Sequence, residues 1–264
     1  MIIRENPMSQ KLHNAKSLYL EGIRDGNARD AVEKYTGARY TQHSTGVRDG
    51  KEGFLEFFGP FIERNPVRHI DLVRGFEDGQ YVFVHAYQSM NNGESEWVTM
   101  DFFDTDEDDK IIEHWDVIVP FKGKNPSGRT QVDGPTEVTH HDQTESNKAT
   151  VKSMIQDLLM PNGNIDNASD YIRLNYIQHN SDVADGLDNF IQLLQAHDRP
   201  LWYHDIVLLV GCGNFVATLC KAMWDSQAYA QVDLFRLESG KIIEHWDAAE
   251  PVPAADELVN SGKF

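Results

Sequence analysis

The chain has 264 residues and a mass of 30.1 kDa, room for about two domains at roughly 150 residues each. Its 40% hydrophobic content is that of a soluble globular protein, and the longest interior apolar run, Ile206 to Val210, is far too short to span a bilayer. The 42 acidic against 24 basic residues leave a formal charge of −18, which repels phosphate backbones and anionic lipid, so neither nucleic acid nor a membrane is the expected partner.

Met1 to Lys11 carries Pro, Asn and Glu where an export signal needs an apolar core, and a cytoplasmic location is expected. Leu12, Ala15, Tyr19 and Ile23 recur at three- and four-residue steps and predict an opening helix that Gly26 ends. Asp49 is placed to cap a further helix whose Phe54, Phe57, Phe58 and Phe61 form an apolar stripe. Only strands are expected after it: Tyr81 to Gln88, Glu96 to Phe103 and Ile111 to Val119. Lys122 to Glu145 is rich in Gly, Pro, Thr and Asp and reads as linker, with His140 and His141 as exposed polar chain. Asp185 with Phe190, Leu193 and Leu194 then repeats the capped helix. Asp205 to Val210, Phe215 to Met223, Ala228 to Leu237 and Lys241 to Ala248 repeat the strands. Helices followed by an antiparallel meander predict an α+β fold with helices on one face of a curved sheet.

The two halves also repeat one another in sequence. KIIEHWD stands at Lys110 to Asp116 and again at Lys241 to Asp247. YTQHSTGVRDGKEGF (Tyr40 to Phe54) matches YIQHNSDVADGLDNF (Tyr176 to Phe190), and VTMDFF (Val98 to Phe103) matches AQVDLF (Ala230 to Phe235), in the same order. A unit of roughly 115 residues exceeds a solenoid or propeller repeat. Domains are therefore expected at 8–121 and 146–253, with a linker at 122–145 and a tail at 254–264.

Polar residues that recur in both halves are the candidates for chemistry. Asp101 and Asp233 sit in otherwise apolar strands, sharing a face with Phe103 and Phe235. A carboxylate buried there takes up a proton readily and becomes a hydrogen-bond donor; the alternative is a structural Asp tied to a neighbouring strand. His43 and His179 precede the capped helices, where a strand or loop would bring them to the mouth of the fold as bases, or leave them as satisfied polar residues. In KIIEHWD, Ile112, His114 and Asp116 alternate with Ile111, Glu113 and Trp115, as do His245 and Asp247 with Trp246. Parity alone leaves open which face lines a pocket, and a bulge would invert it. The expected arrangement has the His/Asp face inward and the Trp face between the halves.

Other chemistry is poorly supported. Asp104, Asp106 and Asp108 resemble the start of a calcium loop, but Asp109 stands where Gly is needed and Trp115 where the bidentate Glu belongs. Cys212 reads as an inert turn thiol, with no His–Cys arrangement visible in the sequence, and Cys212 and Cys220 form no CxxC. Neither a glycine-rich phosphate loop nor a GxSxG elbow occurs.

On these blocks, YxQHxxxVxDG, (V/M)DxF and (G/D)KIIEHWD, both halves resemble the SnoaL-like branch of the nuclear transport factor 2-like superfamily. The resemblance implies two tandem conical α+β barrels, each a curved, mainly antiparallel sheet with helices around an apolar pocket. It also implies chemistry on hydrophobic carbonyl compounds, such as aldol ring closure of polyketides or ketosteroid isomerisation, without metal or organic cofactor. Position by position, the isomerase's base falls on His43 and His179, and its protonated oxyanion donor on Asp101 and Asp233. Its second donor, a Tyr, falls on Tyr19, while the second half has Met154 or Ile155 near that place. Asp116 or Asp247 is nearest to the cyclase acid/base. The leading expectation is a cofactor-independent enzyme that removes a proton α to the carbonyl of a small hydrophobic ketone. Its rival is a non-catalytic small-molecule-binding or protein-interaction module built as a tandem pseudo-dimer, with domain 1 packed on domain 2.

Overall fold

The computed structural model describes residues 9–196 and 201–264. The first half opens with α1 (Gln10–Ser17), capped by the Ser9 hydroxyl accepting from Leu12 N and continued by a π-helical turn (Leu18–Arg24). After α2 (Ala28–Tyr35), β1 (Thr36–Gln42) and α3 (Gly50–Arg64) come β2 (Arg68–Asp78), β3 (Tyr81–Met90), β4 (Ser95–Thr105) and β5 (Ile111–Pro120). The second half repeats the order: α4 (Thr144–Met154) with a π-helical turn (Ile155–Leu159), α5 (Ala168–Tyr171), β6 (Ile172–Gln178), α6 (Leu187–Gln195), β7 (Leu201–Cys212), β8 (Phe215–Trp224), β9 (Gln227–Glu238) and β10 (Lys241–Pro251).

The sheets have matching orders, β1-β5-β4-β3-β2 and β6-β10-β9-β8-β7. All neighbours are antiparallel except β1 on β5 and β6 on β10. Both sheets are open, with β1 and β2, or β6 and β7, as edges, so each half is an α+β cone rather than a closed barrel. Strands β1, β2 and β6 are absent from the sequence expectation. Their charged residues, such as Arg68, His69, Asp71 and Arg74 in β2, mask the apolar alternation of an edge strand. The expected caps also differ. The Asp49 carboxylate accepts from Gln42 N and that of Asp185 from Gln178 N, so each ties its helix to the preceding strand instead of to the helix N–H groups.

Three apolar cores result. The concave face of each sheet packs on its own helices, with Tyr19, Val32, Tyr35, Phe54 and Phe103 in one half and Val151, Leu158, Phe190 and Phe235 in the other. The third core lies between the convex faces, where Phe76, Phe102 and Trp115 meet Phe215, Leu234 and Trp246. A bulge at the start of each closing strand puts Ile111 and Ile242, not Ile112, on the concave side, while His114 and Asp116 still alternate with Trp115. Among the described residues no helix is long and apolar enough to cross a membrane.

The segments after each sheet cross to the other half. After β5, Asn125 donates to Gln178 O, and the Arg74 guanidinium binds Asp133 O and Pro135 O while lying over Trp246. After β10, Asn260 donates to Ser44 O and Val47 O. The stretch expected to be exposed linker is thus in part a clasp, and Asn125 is buried.

Candidate active site

The first half encloses a cavity of about 210 Å³ between α3, the π-helical turn and the concave face of the sheet. Its walls are Leu18, Tyr40, Phe54, Phe58, Phe61, Trp97 and Phe103, and Phe57 and Ile118, 37% and 40% exposed, stand at its mouth. The aromatic side of α3 follows from the stripe of four phenylalanines, which a helix gathers onto one face.

At the inner end of this cavity β4, β5 and the π-helical turn bring four polar groups together. Asp101 lies directly opposite Asp116 and Phe103 opposite His114, so both carboxyls and the imidazole share the concave face. Asp101 Oδ1 accepts from the Tyr19 hydroxyl at 2.6 Å and lies 3.0 Å from His114 Nε2. His114 Nδ1 lies 2.9 Å from Gln42 Oε1, and its ring stacks on Phe103. With Nδ1 donating to an amide oxygen, a neutral imidazole offers a lone pair at Nε2, so the Nε2–Oδ1 bond holds one proton between His114 and Asp101.

Asp101 is fully buried, and among the described residues its Oδ2 has no hydrogen-bond partner. Burial pushes its carboxyl pKa up, aided by the charge of Asp116 and opposed by His114 and Tyr19. Burial, with the charge of Asp101, drives the Tyr19 phenol well above its ordinary range, so it stays a donor. Asp116 lines the cavity. Its carboxylate has a single hydrogen bond among the described residues, from Lys263 Nζ at 3.4 Å to Oδ1.

The second half builds the same relay with different support. His245 Nε2 is 3.0 Å from Asp233 Oδ1, and its Nδ1 is 3.0 Å from Gln178 Oε1. Gln178 Oε1 also accepts from Asn180 N, which fixes the amide orientation. The phenol comes from β7, where Tyr203 donates to Asp233 Oδ2 at 2.8 Å, and Gln231 Nε2 adds a third bond. With its carboxylate better satisfied, the proton favours the imidazole: burial lowers the His245 pKa, but the hydrogen bond to Asp233 and the charge of Asp247 outweigh it. Asp247 is clamped by the Asn180 amide at 2.9 and 2.7 Å. The hollow that remains is about 40 Å³.

His43 and His179, expected at the mouth as bases, lie on the convex side instead. His43 stacks on Trp115 and binds Glu113 Oε1 at 2.9 Å and Gly262 O at 2.5 Å; His179 stacks on Trp246 and binds Glu244, Thr130 and Asp133. Each follows a strand whose last residue, Gln42 or Gln178, faces inward, so alternation turns the His outward. Gln42, Lys263, Tyr203 and Asn180 are site residues that sequence reasoning missed. The Gln of each recurrent Gln-His pair was the available signal for Gln42. In the further corner of the molecule, Cys212 Sγ lies 3.6 Å from His141 Nδ1, a pairing absent from the sequence reading; burial and the charges of Asp78 and Glu77 push the thiol pKa up.

Asp101, His114 and Asp116, like Asp233, His245 and Asp247, each present a ligand atom within 4.8 Å of the others. Both nitrogens of His114 and of His245 are already hydrogen-bonded, so the sets read as proton relays before metal sites.

A comparison with curated proteins finds no match. Among solved structures, IdmH from Streptomyces antibioticus, a candidate polyketide cyclase, is similar at 16% identity over 42% of this chain and 92% of its own, with a TM-score of 0.37. A candidate polyketide cyclase from Acidithiobacillus ferrooxidans is similar at 18% identity over 43% and 91%, with a TM-score of 0.38. A candidate ketosteroid isomerase from Kribbella flavida is similar at 15% identity over 45% and 90%, with a TM-score of 0.36. The family model of the SnoaL-like domain matches residues 18–114, the stretch from the π-helical turn to His114. Residues 18–114 thus match the SnoaL-like domain, and the second half repeats the arrangement of strands and helices seen in the first.

Proposed function

We propose that domain one is a cofactor-independent enzyme that removes a proton α to the carbonyl of a small hydrophobic ketone, the step common to aldol cyclisation and double-bond isomerisation. The observation that carries this reading is the meeting of an aromatic cavity of about 210 Å³ with Tyr19, His114 and Asp116 at one end, backed by Asp101 bonded to the Tyr19 hydroxyl and His114. Asp116 is the base. It faces the cavity on the open side of the His114–Asp101 pair, and domain one has Ser44 where Asn180 clamps Asp247 in domain two.

In this mechanism an Asp116 oxygen takes the α proton and the electron pair moves onto the carbonyl oxygen. The Tyr19 hydroxyl, at the cavity wall, turns from Asp101 to donate to the enolate oxygen, and the proton shared by Asp101 and His114 steadies the charge from behind it. A placed base contributes about 10²-fold to 10⁴-fold, and each donor aimed at a developing oxyanion in a dry site about 10²-fold or more. The aromatic walls exclude water and favour a flat apolar guest. Domain two, its hollow filled by Tyr203 and Gln231, serves as support.

The test is solvent exchange. β-Tetralone in D₂O should lose its α protons faster with the protein than with buffer, read by proton NMR, and Asp116→Asn should abolish the difference while the fold is retained. Equal rates with and without protein across a panel of one- to three-ring ketones would remove the enzymatic reading.

A further inference from the structure

We infer that Lys263, from the segment after the second sheet, is a positioning residue for Asp116, so that the site of domain one is completed by chain from the far side of domain two. The inference rests on the reading of Asp116 as the base. The Lys263 side chain is 2% exposed, and its ammonium reaches three acceptors: Asp116 O at 2.8 Å, Glu250 Oε2 at 3.1 Å and Asp116 Oδ1 at 3.4 Å. Burying an ammonium is costly unless it is paired, so this placement needs both carboxylates. They need it in turn, since without Lys263 two anions would face one another beside Asp101.

The segment is built to deliver that side chain. Asn260 donates to Ser44 O and Val47 O at 2.7 Å each, and its Oδ1 accepts from Gly262 N. Ser261 Oγ binds Asp49 Oδ2 at 3.0 Å, and Gly262 O meets His43 Nδ1. His43 therefore anchors the segment that carries Lys263. Glu250, at the end of β10, is fixed from domain one by Thr45 Oγ1 and Ile118 N.

The other half has the same device without the same outcome. Asn125-Pro126-Ser127-Gly128-Arg129 repeats the pattern of Asn260-Ser261-Gly262-Lys263, and Asn125 donates to Gln178 O, Asn180 O and Val183 O as Asn260 does to its loop. Arg129, however, pairs with Asp185 at 2.8 Å and leaves Asp247 to Asn180. Only the copy with the open cavity receives a buried cation behind its carboxylate. That cation holds the backbone oxygen and one carboxylate oxygen of Asp116 and leaves the other oxygen to the cavity.

The groups facing Asp116 are Asp101, His114, Tyr19, Tyr40, Glu250 and Lys263. Lys263→Met removes the only cation among those fixed in charge. The acid limb of the β-tetralone exchange profile should then move to higher pH, and Lys263→Arg should return part of the change. The ¹³C signal of the Asp116 carboxyl, assigned by its loss in Asp116→Asn, should titrate at a correspondingly higher pH in Lys263→Met. Asn260→Ala, which loosens the segment without touching Asp116, should give a smaller displacement of the same sign and covers the case in which Lys263→Met does not fold. A carboxyl signal that titrates at the same pH in all variants, whatever their thermal stability, overturns the role of Lys263. Absence of exchange by the unaltered chain removes the proposed activity but leaves the carboxyl signal to decide this inference alone.

Discussion

The two halves share a relay and differ in what surrounds it. Both hold His Nε2 and Asp Oδ1 at 3.0 Å, with Gln behind the imidazole and a Tyr on the carboxyl. In domain one the phenol comes from the π-helical turn and leaves the sheet wall to Ile70 and Thr99. Domain two has Tyr203 and Gln231 at the matching positions of its sheet, and both point at Asp233. The result is a cavity of about 210 Å³ against about 40 Å³, and a cyclic bond of Asn180 to Asp247 against an open Asp116. The relay alone is therefore compatible with a structural role. Space beside it and a carboxylate free to face that space make the difference.

That contrast can be broken by paired substitutions. Asp116→Asn should lower β-tetralone exchange about 10³-fold while Asp247→Asn leaves it within twofold; equal effects would place the chemistry in both halves or neither. Opening domain two with Tyr203→Ile and Gln231→Thr should cost about 4 kcal/mol in denaturant unfolding, from the lost packing and the orphaned Asp233 Oδ2. A crystal structure of that double variant should show the smaller hollow enlarged, and a hollow that collapses instead would show that the helices, not these two side chains, set its size.

The interface histidines sharpen the same contrast through stability. Burial raises the Glu244 carboxyl pKa, but hydrogen bonds from His179 and Arg236 outweigh it and hold it below 4.5. A depressed carboxyl stabilises the fold above its unfolded value, and that contribution fades as pH falls through the folded value. Glu244→Gln should therefore cost about 3 kcal/mol at pH 7 and flatten the loss of stability below about pH 4.5. Glu113→Gln, at the more exposed pair in domain one, should cost about 1 kcal/mol. The relay carboxyls divide in the same way: Asp101→Asn should reduce exchange about tenfold, and Asp233→Asn should change only thermal stability.

Much of this was legible in the chain. The repeat of KIIEHWD and its partners marked two equivalent halves, and strand alternation carried His114 and Asp116 to the concave face and Trp115 and Trp246 to the interface. Alternation worked there because the bulge of the closing strand falls before Glu113. It failed at Gln42-His43, where the more reactive residue type drew attention and the neighbouring amide turned out to face inward. The clasp segments look like linker and tail in the sequence because their hydrogen bonds are made by single Asn side chains to distant carbonyls, which leave no periodicity to detect.

Two α+β halves and the residue types of the relay are written in the linear order, because burial period and duplication are properties of it. Which copy is hollow, where its carboxylate lies open and what stands behind it follow from the folded chain alone. Those features depend on side chains that arrive from other elements, such as Tyr203 from β7 and Lys263 from beyond β10, and distance in space between remote segments is not written in their spacing along the chain.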